Sequence, residues 1–404
     1  MGIKKFIKKF FDNLEIYEDQ YHGTKYKKEI YISITQFLDN KTEINAYNVY
    51  KAFFEAYWIG IQDEVNPFLE LTQRMKNFEE FNGKLLENHR DHYIHTVFVF
   101  LLGLSIFAEN TNYRKIFSEY ALDKSKYPDF YDTPNEEFFY RWGLSALFHD
   151  IAYPLEIIIK QTNEYIKFVS EYSDTIGETG INIKLSTNNS FFNLPILKPR
   201  SESKDRFNAK YNKFQSRFLD NSISLLAYTL YENFNLNLHE IKNNLDNFVE
   251  NMNENNRIDH GFFSAIIMLK WYHYLIKRTN WNPAYFYFPI LDSSSSILLH
   301  NYYKHTLMED PFNLSQIRAR QHPIAYLLIL CDELQEWNRE GYGKMDIKDD
   351  APTDFDLFID ELELKIKYKY LQKTNNNDFL KEKHEKISSI VKINDIFKNG
   401  IKIE

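Results

Sequence analysis

The segment Leu147-Phe148-His149-Asp150-Ile151-Ala152-Tyr153-Pro154 closes a run, residues 138–148, in which apolar side chains recur at helical spacing. Pro154 disfavours the helical conformation of the residue before it, so His149 and Asp150 are predicted to lie in the last turn of a helix. That end of a helix carries partial negative charge and favours cations. Adjacent helical residues point about 100° apart, so the two side chains can share only a target that lies between them. A metal ion is such a target, although a His-Asp pair taken alone is unremarkable.

The composition predicts a chain that buries a large core. Of its 404 residues, 44% are hydrophobic and 17% aromatic, and only 12 Gly and 11 Pro leave little room for long linkers. Cys331 is the single cysteine, which excludes an intrachain disulfide and a thiolate zinc cluster and favours a reducing, cytoplasmic location. The formal net charge of -8 argues against a surface devoted to nucleic-acid backbone.

The N-terminal segment, residues 1–11, alternates apolar residues and lysines as an amphipathic helix does. Such a helix could lie on an anionic membrane surface or contact a partner, but docking on the core of its own chain is the favoured interpretation. The segment lacks the apolar run of a signal peptide, and no later run is long enough to cross a bilayer. We therefore expect no transmembrane segment. Further amphipathic helices are predicted over residues 29–39, 45–61 and 67–78.

Three histidines, His89, His92 and His95, recur at intervals of three before an apolar helix. Residues three apart drift by about 60° around a helix, so neighbouring pairs can face one site but all three hardly can. His95 precedes Val99 and Leu102 at i+4 and i+7, which places it on the buried stripe. A buried imidazole needs a partner, and a backbone carbonyl is the ordinary one.

Two later histidines also lie next to apolar helical runs. His260 opens a helix that the pattern extends to residue 276, and Gly261 permits close approach to exposed backbone N–H groups, a setting suited to phosphate. Ordinary capping by Asp259 is the simpler explanation. Residues 293–296, all serine, predict another helix start that leads to His300.

Asp332 is predicted to stand against the core. Pro323 suits the first turn of an apolar helix, and Asp332 shares a face of that helix with Leu328 and Ile329. An unpaired ionised carboxylate there is costly, so it is either protonated or compensated by a cation or a hydrogen-bond network.

Taken together, these residues give the order His95, His149-Asp150, Asp332, which supplies two nitrogens and two oxygens for a divalent cation. This order resembles the HD superfamily of metal-dependent phosphohydrolases, whose signature is H…HD…D on a helical scaffold. The resemblance covers residues 88–340. The sequences of segments 148–156 and 330–337 are the most typical of the family.

The resemblance implies a ligand set and further site residues. It makes His149, Asp150 and Asp332 metal ligands, together with one histidine of the 89/92/95 run. His95 is preferred, because its i+4 valine and the following hydroxyl residue resemble the family's first helix, and His92 is the alternative.

It also implies residues beyond that set. His260 and His300 fall where binuclear or substrate-binding members place additional histidines, so they are expected as second-metal, phosphate or catalytic contacts beside Asp150. Arg318 and Arg320, or Lys160, could neutralise substrate phosphate, with exposed surface charge as the alternative for each.

The chemistry implied is hydrolysis of a phosphate ester or anhydride, with one or two divalent ions (Mn, Mg, Fe, Ni, Co or Zn) and a nucleotide or nucleotide-derived substrate. Two other functions stay open. One is a regulatory module that binds a nucleotide without turnover, and the other is a metal-dependent nuclease, against which the acidic net charge speaks. The sequence leaves oligomeric state open, including a homo-oligomer.

The predicted fold is mainly α: an HD-type helical bundle with N-terminal helices, a helical and irregular insertion and a small C-terminal α/β appendage. The corresponding ranges are 1–85, 86–345 with the insertion at about 161–256, and 346–404. In the appendage, residues 361–370 alternate strictly, which is the period of a half-buried strand, and residues 379–391 have helical spacing.

Overall fold

Helices make up most of the structure, and a small sheet lies near the C-terminus, which confirms the predicted fold class. The computed structural model describes residues 2–16, 19, 25–57, 67–82, 89–121, 134–171, 187, 189–194, 221–278, 283–337, 341–342, 352–370 and 377–404. No single helix in these ranges has both the length and the apolar character to cross a bilayer; one pair of helices, Tyr93–Glu109 and Thr111–Ala121, passes that test only together and is bent by 99°.

The N-terminal helices are α1 (Ile3–Asp12), α2 (Tyr26–Asp39), α3 (Glu43–Tyr57) and α4 (Pro67–Asn82). The apolar face of α1 is buried, and Phe10 meets Phe107 edge to face with ring centroids 5.9 Å apart. Docking on the chain's own core is therefore confirmed. The membrane or partner contact considered for residues 1–11 is wrong for this face, because the core already covers it.

The central helices are α5 (Tyr93–Glu109), α6 (Thr111–Ala121), α7 (Pro134–Phe148), α8 (Tyr153–Glu171), α9 (Ser222–Phe234), α10 (Leu238–Glu254), α11 (His260–Arg278), α12 (Pro283–Tyr302) and α13 (Pro323–Leu334). A π-helical turn, Tyr303–Leu307, continues α12. Helices α5, α7, α12 and α13 pack against one another at the centre. Almost every side chain of α5 is buried, as its uniformly apolar sequence requires.

Gly103 lets α5 and α7 approach closely. A Cβ atom at this position would lie 2.1 Å from the indole ring of Trp142. Trp142 fills that space, and its Nε1–H donates to the carbonyl of Phe100 at 2.8 Å. The contact fixes the two helices whose ends carry three of the predicted ligands.

The irregular part of the predicted insertion, residues 173–205, lies mostly outside the described residues. Within it, residues 189–192 form a 3₁₀ turn. The helical part of the insertion predicted at about 161–256 includes α9 and α10, and residues 195–220 before them are not described.

The C-terminal segment forms β3 (Asp354–Ile359), β4 (Leu364–Lys369), α14 (Asn377–Ile390) and β5 (Ile401–Ile403). β4 pairs antiparallel with β3 and parallel with β5. The sequence predicted β4 and α14 but neither β3 nor β5. Two residues, β1 (His89–Arg90), pair with β2 (Gly341–Tyr342) just before α5 begins.

Candidate metal centre

The predicted ligands come from three helix ends. His95 lies in the first turn of α5, where the Asp91 carboxylate accepts the backbone N–H of Ile94 at 2.9 Å and of His95 at 3.2 Å. His149 and Asp150 occupy the turn between α7 and α8, directly after Phe148, so their predicted position in the last helical turn was wrong. The Ser264 hydroxyl of α11 accepts the Ala152 N–H at 3.0 Å, which ties this turn to the core.

The four predicted ligands converge. His95 Nε2 lies 2.9 Å from Asp332 Oδ1 and 4.0 Å from Asp150 Oδ2, and His149 Nε2 lies 3.2 Å from Asp150 Oδ2 and 3.7 Å from Asp332 Oδ1. His95, His149 and Asp150 are fully or almost fully buried, whereas 28% of the Asp332 side chain is exposed. The group is therefore open on the Asp332 side.

A second group shares Asp150. Its other carboxylate oxygen, Oδ1, lies 3.3 Å from His260 Nε2, which lies 3.2 Å from His300 Nε2. In each group of three (His95, His149 and Asp150; Asp150, His260 and His300) the donor atoms lie within 4.8 Å of one another. The two oxygens of Asp150 thus face two neighbouring sets of histidine nitrogens.

The four histidines are oriented in the same way. Each Nδ1 atom contacts an acceptor outside the cluster, and each Nε2 atom points toward Asp150, Asp332 or the neighbouring imidazole. The four acceptors are Gln335 Oε1 for His95, Ala146 O (3.0 Å) for His149, Glu156 Oε2 (2.6 Å) for His260 and Ile297 O for His300. An acceptor at Nδ1 fixes the proton there and leaves the Nε2 lone pair directed inward, as in metal-bound histidines.

His149 shows most directly that a cation fits. Its Nε2 atom is buried and makes no hydrogen bond within the described part of the chain, although carboxylate oxygens lie close to it. A buried polar atom without a partner is costly, and a metal ion among these donors would satisfy it. The buried His and Asp groups could therefore hold a metal ion. The absence of sulfur favours first-row ions that accept imidazole and carboxylate.

The pKa values of the cluster residues are set by two opposing effects, burial and the charges of neighbouring side chains. Burial would raise the pKa of Asp150, but His149 and His260 hold it well below its usual range, and His149 and His95 do the same for Asp332. Burial would lower the pKa of His149, but the two carboxylates raise it. Burial and the positive charges of His260 and His149 lower the pKa of His300 to about 4, so this imidazole is neutral at neutral pH.

Gly261 makes room for His300. A Cβ atom at Gly261 would lie 2.7 Å from His300 Cε1 and 3.2 Å from the carbonyl oxygen of Ile297. The space above Gly261, which was considered as a setting for phosphate, holds an imidazole. The favoured explanation, capping by Asp259, is confirmed, since Asp259 accepts the Phe262 N–H at 2.7 Å.

The alternative ligand His92 lies beside the cluster. Its Nδ1 atom is 2.8 Å from Glu79 Oε1, and its ring lies against that of Tyr153, with centroids 3.8 Å apart. It belongs to neither of the two groups of three. His89 lies in β1.

The predicted phosphate contacts lie in different places. Arg318 pairs with Asp395 at 3.1 Å, and Arg320 lies 3.9 Å from Glu119, so both arginines are engaged away from the cluster. Lys160 lines a cavity of about 610 Å³ that also includes His260.

Gln335 and Glu156 were missed by the sequence reasoning. Gln335 accepts from His95 and donates through Nε2 to the Trp337 carbonyl at 2.6 Å, which fixes its amide. Both residues lie close in sequence to a predicted ligand, since Gln335 lies three residues after Asp332 and Glu156 lies six residues after Asp150. Neither spacing points to a histidine partner distant in sequence.

A further buried histidine, His322, has a different role. Its Nδ1 accepts the Ala325 N–H at 3.2 Å, while Ser295 Oγ at 2.7 Å and Asp292 Oδ1 at 3.6 Å both face Nε2. In a Ser-His-Asp triad the carboxylate contacts the ring nitrogen opposite the serine. This group is therefore a helix cap and not a nucleophile site.

No protein-family model, curated protein or solved structure matches this chain.

Proposed function

We propose that this chain is an HD-type metal-dependent phosphohydrolase that acts on a nucleotide or a nucleotide-derived phosphate ester or anhydride. One observation carries the proposal: four histidines from distant parts of the chain direct their Nε2 atoms at Asp150, Asp332 or the neighbouring imidazole while outside acceptors hold their Nδ1 atoms. Such agreement among residues separated by up to 237 positions is expected of a metal site.

In this proposal, His95, His149, Asp150 and Asp332 hold one divalent ion, and Asp150, His260 and His300 form the place for a second. A divalent ion there would make a water molecule nucleophilic near neutral pH and offset charge on a phosphoryl oxygen. Asp150 orients both groups because each of its oxygens faces one of them.

The substrate would enter from the side where the cluster is open. Asp332 and Glu156 are the partly exposed carboxylates, with 28% and 33% of their side chains accessible. Of these two, Glu156 lines the cavity of about 610 Å³, together with His260. Glu156 stands at this mouth as a carboxylate that holds His260, because burial would raise its pKa but the hydrogen bond to His260 lowers it.

Analysis of the hydrolysis products tests the proposal, because opening of a cyclic phosphodiester releases no free phosphate. The full chain would be assayed with Mn²⁺ and a panel of nucleoside mono-, di- and triphosphates and cyclic nucleotides, beside Asp150→Ala and the control Asp356→Ala, an exposed aspartate of β3. We expect turnover by the wild type and the control, and a loss of about a hundredfold or more in Asp150→Ala.

Two outcomes contradict the hydrolase. Nucleotide binding without turnover would support the regulatory module instead. Cleavage of single- or double-stranded nucleic acid, without hydrolysis of nucleotides, would support the nuclease.

A further inference from the structure

Two cavities meet beside the metal cluster. The first, of about 610 Å³, is lined by one face of α8, the turn before α11 and the end of α12. The second, of about 550 Å³, is lined by α10. Arg257 and His305 line both, so they stand where the two cavities join. The two cavities thus form one groove that leads away from His260.

The junction carries the positive charge of Arg257, whereas burial and the nearby Lys304 lower the pKa of His305, so its imidazole serves as a hydrogen-bond partner. Arg257 and His305 are exposed, and neither side chain makes an ion pair or hydrogen bond with any described residue. Lys160, in the first cavity, is likewise exposed and unpaired within the described part of the chain. The carboxylates of this cavity are Glu156, held by His260, Asp259, which caps α11 by accepting the Phe262 N–H at 2.7 Å, and Glu164.

The second cavity is lined by amides. Four asparagines of the helix α10 and its end recur at intervals of three and four and so share one face: Asn244, Asn247, Asn251 and Asn255. The side chains of Asn247 and Asn251 make no hydrogen bond within the residues that the structure describes, whereas Asn244 accepts from the Tyr302 hydroxyl. An amide offers a donor and an acceptor side by side.

The chemistry of the groove changes along its length. Beyond Arg257 and His305, its lining is the asparagines with Phe248, Met252 and Thr306, and it holds no further cation. A polyphosphate would need positive charge throughout, so only the junction suits a phosphate. Amides beside an apolar surface suit a neutral heterocycle. An asparagine amide can hydrogen-bond to the edge of a base, and the face of the base can pack against apolar side chains. Helix α10 offers about 16 Å of this face between Asn244 and Asn255, which exceeds the length of a nucleoside.

We propose that this asparagine-lined groove is the nucleoside subsite. The scissile phosphate lies at the metal cluster, a second phosphate lies between Arg257 and His305, and the base and sugar lie on the asparagine face of α10. The inference rests on the proposed function for the position of the reacting phosphate. It narrows the substrate class to nucleotides that carry at least two phosphates.

Binding to the metal-free protein tests the subsite without relying on catalysis. The full chain, dialysed against a chelator, would be titrated by calorimetry with ADP, GDP, CDP and UDP and with inorganic pyrophosphate. We expect at least one nucleoside diphosphate to bind about tenfold or more tightly than pyrophosphate, since the nucleoside adds hydrogen bonds and apolar contact. Asn247→Ala and Asn251→Ala should each weaken that nucleotide by about tenfold, the effect of about one lost hydrogen bond, and leave pyrophosphate unchanged.

Arg257→Gln should weaken both nucleotide and pyrophosphate, because it removes the charge at the junction. Two variants serve as matched controls: Asn243→Ala, an exposed asparagine of α10 outside the cavity lining, and Lys402→Gln, an exposed lysine of β5. Both should bind like the wild type, and an unchanged melting temperature shows that each variant is folded.

Two results would overturn the subsite proposal. One is that pyrophosphate binds as tightly as every nucleotide tested, and the other is that both asparagine variants bind the nucleotide as tightly as the wild type. The two proposals fail separately. Nucleotide binding that depends on the asparagines without any turnover would keep the subsite and remove the hydrolase. Turnover with an unchanged KM in Asn247→Ala and Asn251→Ala would keep the hydrolase and remove the subsite.

Discussion

At the scale of single residues, the orientation of each imidazole depends on a partner that never touches the proposed ion. Gln335 is the clearest case, since its amide bridges His95 and the Trp337 carbonyl. Without it, the His95 ring could rotate or take the other tautomer. Gln335 is therefore a positioning residue.

Replacing Gln335 by alanine is expected to weaken metal binding by about 10- to 100-fold, the usual effect of losing such a partner. Calorimetric titration of the metal-free chain with Mn²⁺ measures it. Gln335→Glu retains an acceptor and should restore most of the affinity, which a purely structural role would not explain. Affinity equal to the wild type in Gln335→Ala would contradict the role.

The pH dependence of metal binding follows from His260. Burial would lower its pKa, but hydrogen bonds to Asp150 and Glu156 raise it well above the usual value. The metal-free protein therefore holds a proton there at neutral pH, and a metal ion must displace it. Affinity for Mn²⁺ should rise with pH below that pKa, by up to about tenfold per pH unit for each proton released.

Titrations in two buffers of different ionisation enthalpy count the protons released. A positive number near neutral pH is expected, and it should fall in His260→Gln. Binding that is independent of pH and of the buffer would be inconsistent with this assignment.

Sequence reasoning predicted the residues that converge in the cluster better than the residues that support them. His95, His149, Asp150 and Asp332 could be selected because ionisable groups beside apolar helical runs are costly unless compensated. Gln335 and Glu156 are ordinary surface residue types, so their partners emerge only when helices distant in sequence meet.

At the scale of elements, a line of polar contacts joins α7 to α12 and sets the spacing between His149 and His300. Arg141 donates to Asp292 at 3.1 Å, the Ser293 hydroxyl donates to the Arg141 carbonyl at 3.0 Å, and the Ser296 hydroxyl donates to Ser145 at 2.9 Å. The charged pair is almost fully buried.

Asp292→Ala should destabilise the fold by about 3–5 kcal/mol, because it leaves the Arg141 guanidinium buried without this partner. Chemical denaturation monitored by circular dichroism measures the free energy of unfolding. The control Asp246→Ala breaks a half-exposed pair with Lys242 on α10 and should cost no more than about 1 kcal/mol. Equal effects of the two substitutions would contradict the importance of this contact.

The same helix shows why a local pattern can mislead. Residues 293–296 have the composition of a helix start, and that prediction was wrong, because they lie inside α12. The hydroxyls of Ser293, Ser295 and Ser296 donate to carbonyls or contact other side chains in the interface, so tertiary packing determines their role. β5 was missed for a related reason, since its three residues are defined by pairing with β4.

At the scale of the whole molecule, buried apolar residues form one continuous cluster from Ile3 to Ile401. The C-terminal sheet joins it through Trp337, which stacks on Phe355 with centroids 3.8 Å apart, and through the Tyr368 hydroxyl, which donates to the Leu334 carbonyl at 2.7 Å. These contacts fix the end of α13, which carries Asp332. The sequence predicted an appendage at residues 346–404, but its periodicity held no information on this docking.

Phe355→Ala should therefore lower the stability of the whole chain by about 3 kcal/mol, as large-to-small substitutions in a core do. We expect one unfolding transition, with the same midpoint by tryptophan fluorescence and by circular dichroism. A separate early transition confined to the C-terminal segment would show that the sheet is an independent unit.

The central claim is that the four inward-facing histidines and their two aspartates hold metal. Elemental analysis of the purified full chain tests this claim most directly. The protein is first exposed to Mn²⁺, Fe²⁺, Co²⁺, Ni²⁺ or Zn²⁺, and free ion is then removed. The wild type is compared with His149→Gln and with the control His239→Gln, which changes an exposed histidine of α10. The wild type and the control should retain at least about one ion per chain, and His149→Gln should retain markedly less. A wild type without bound metal, or a His149→Gln variant that retains as much as the wild type, would contradict the claim.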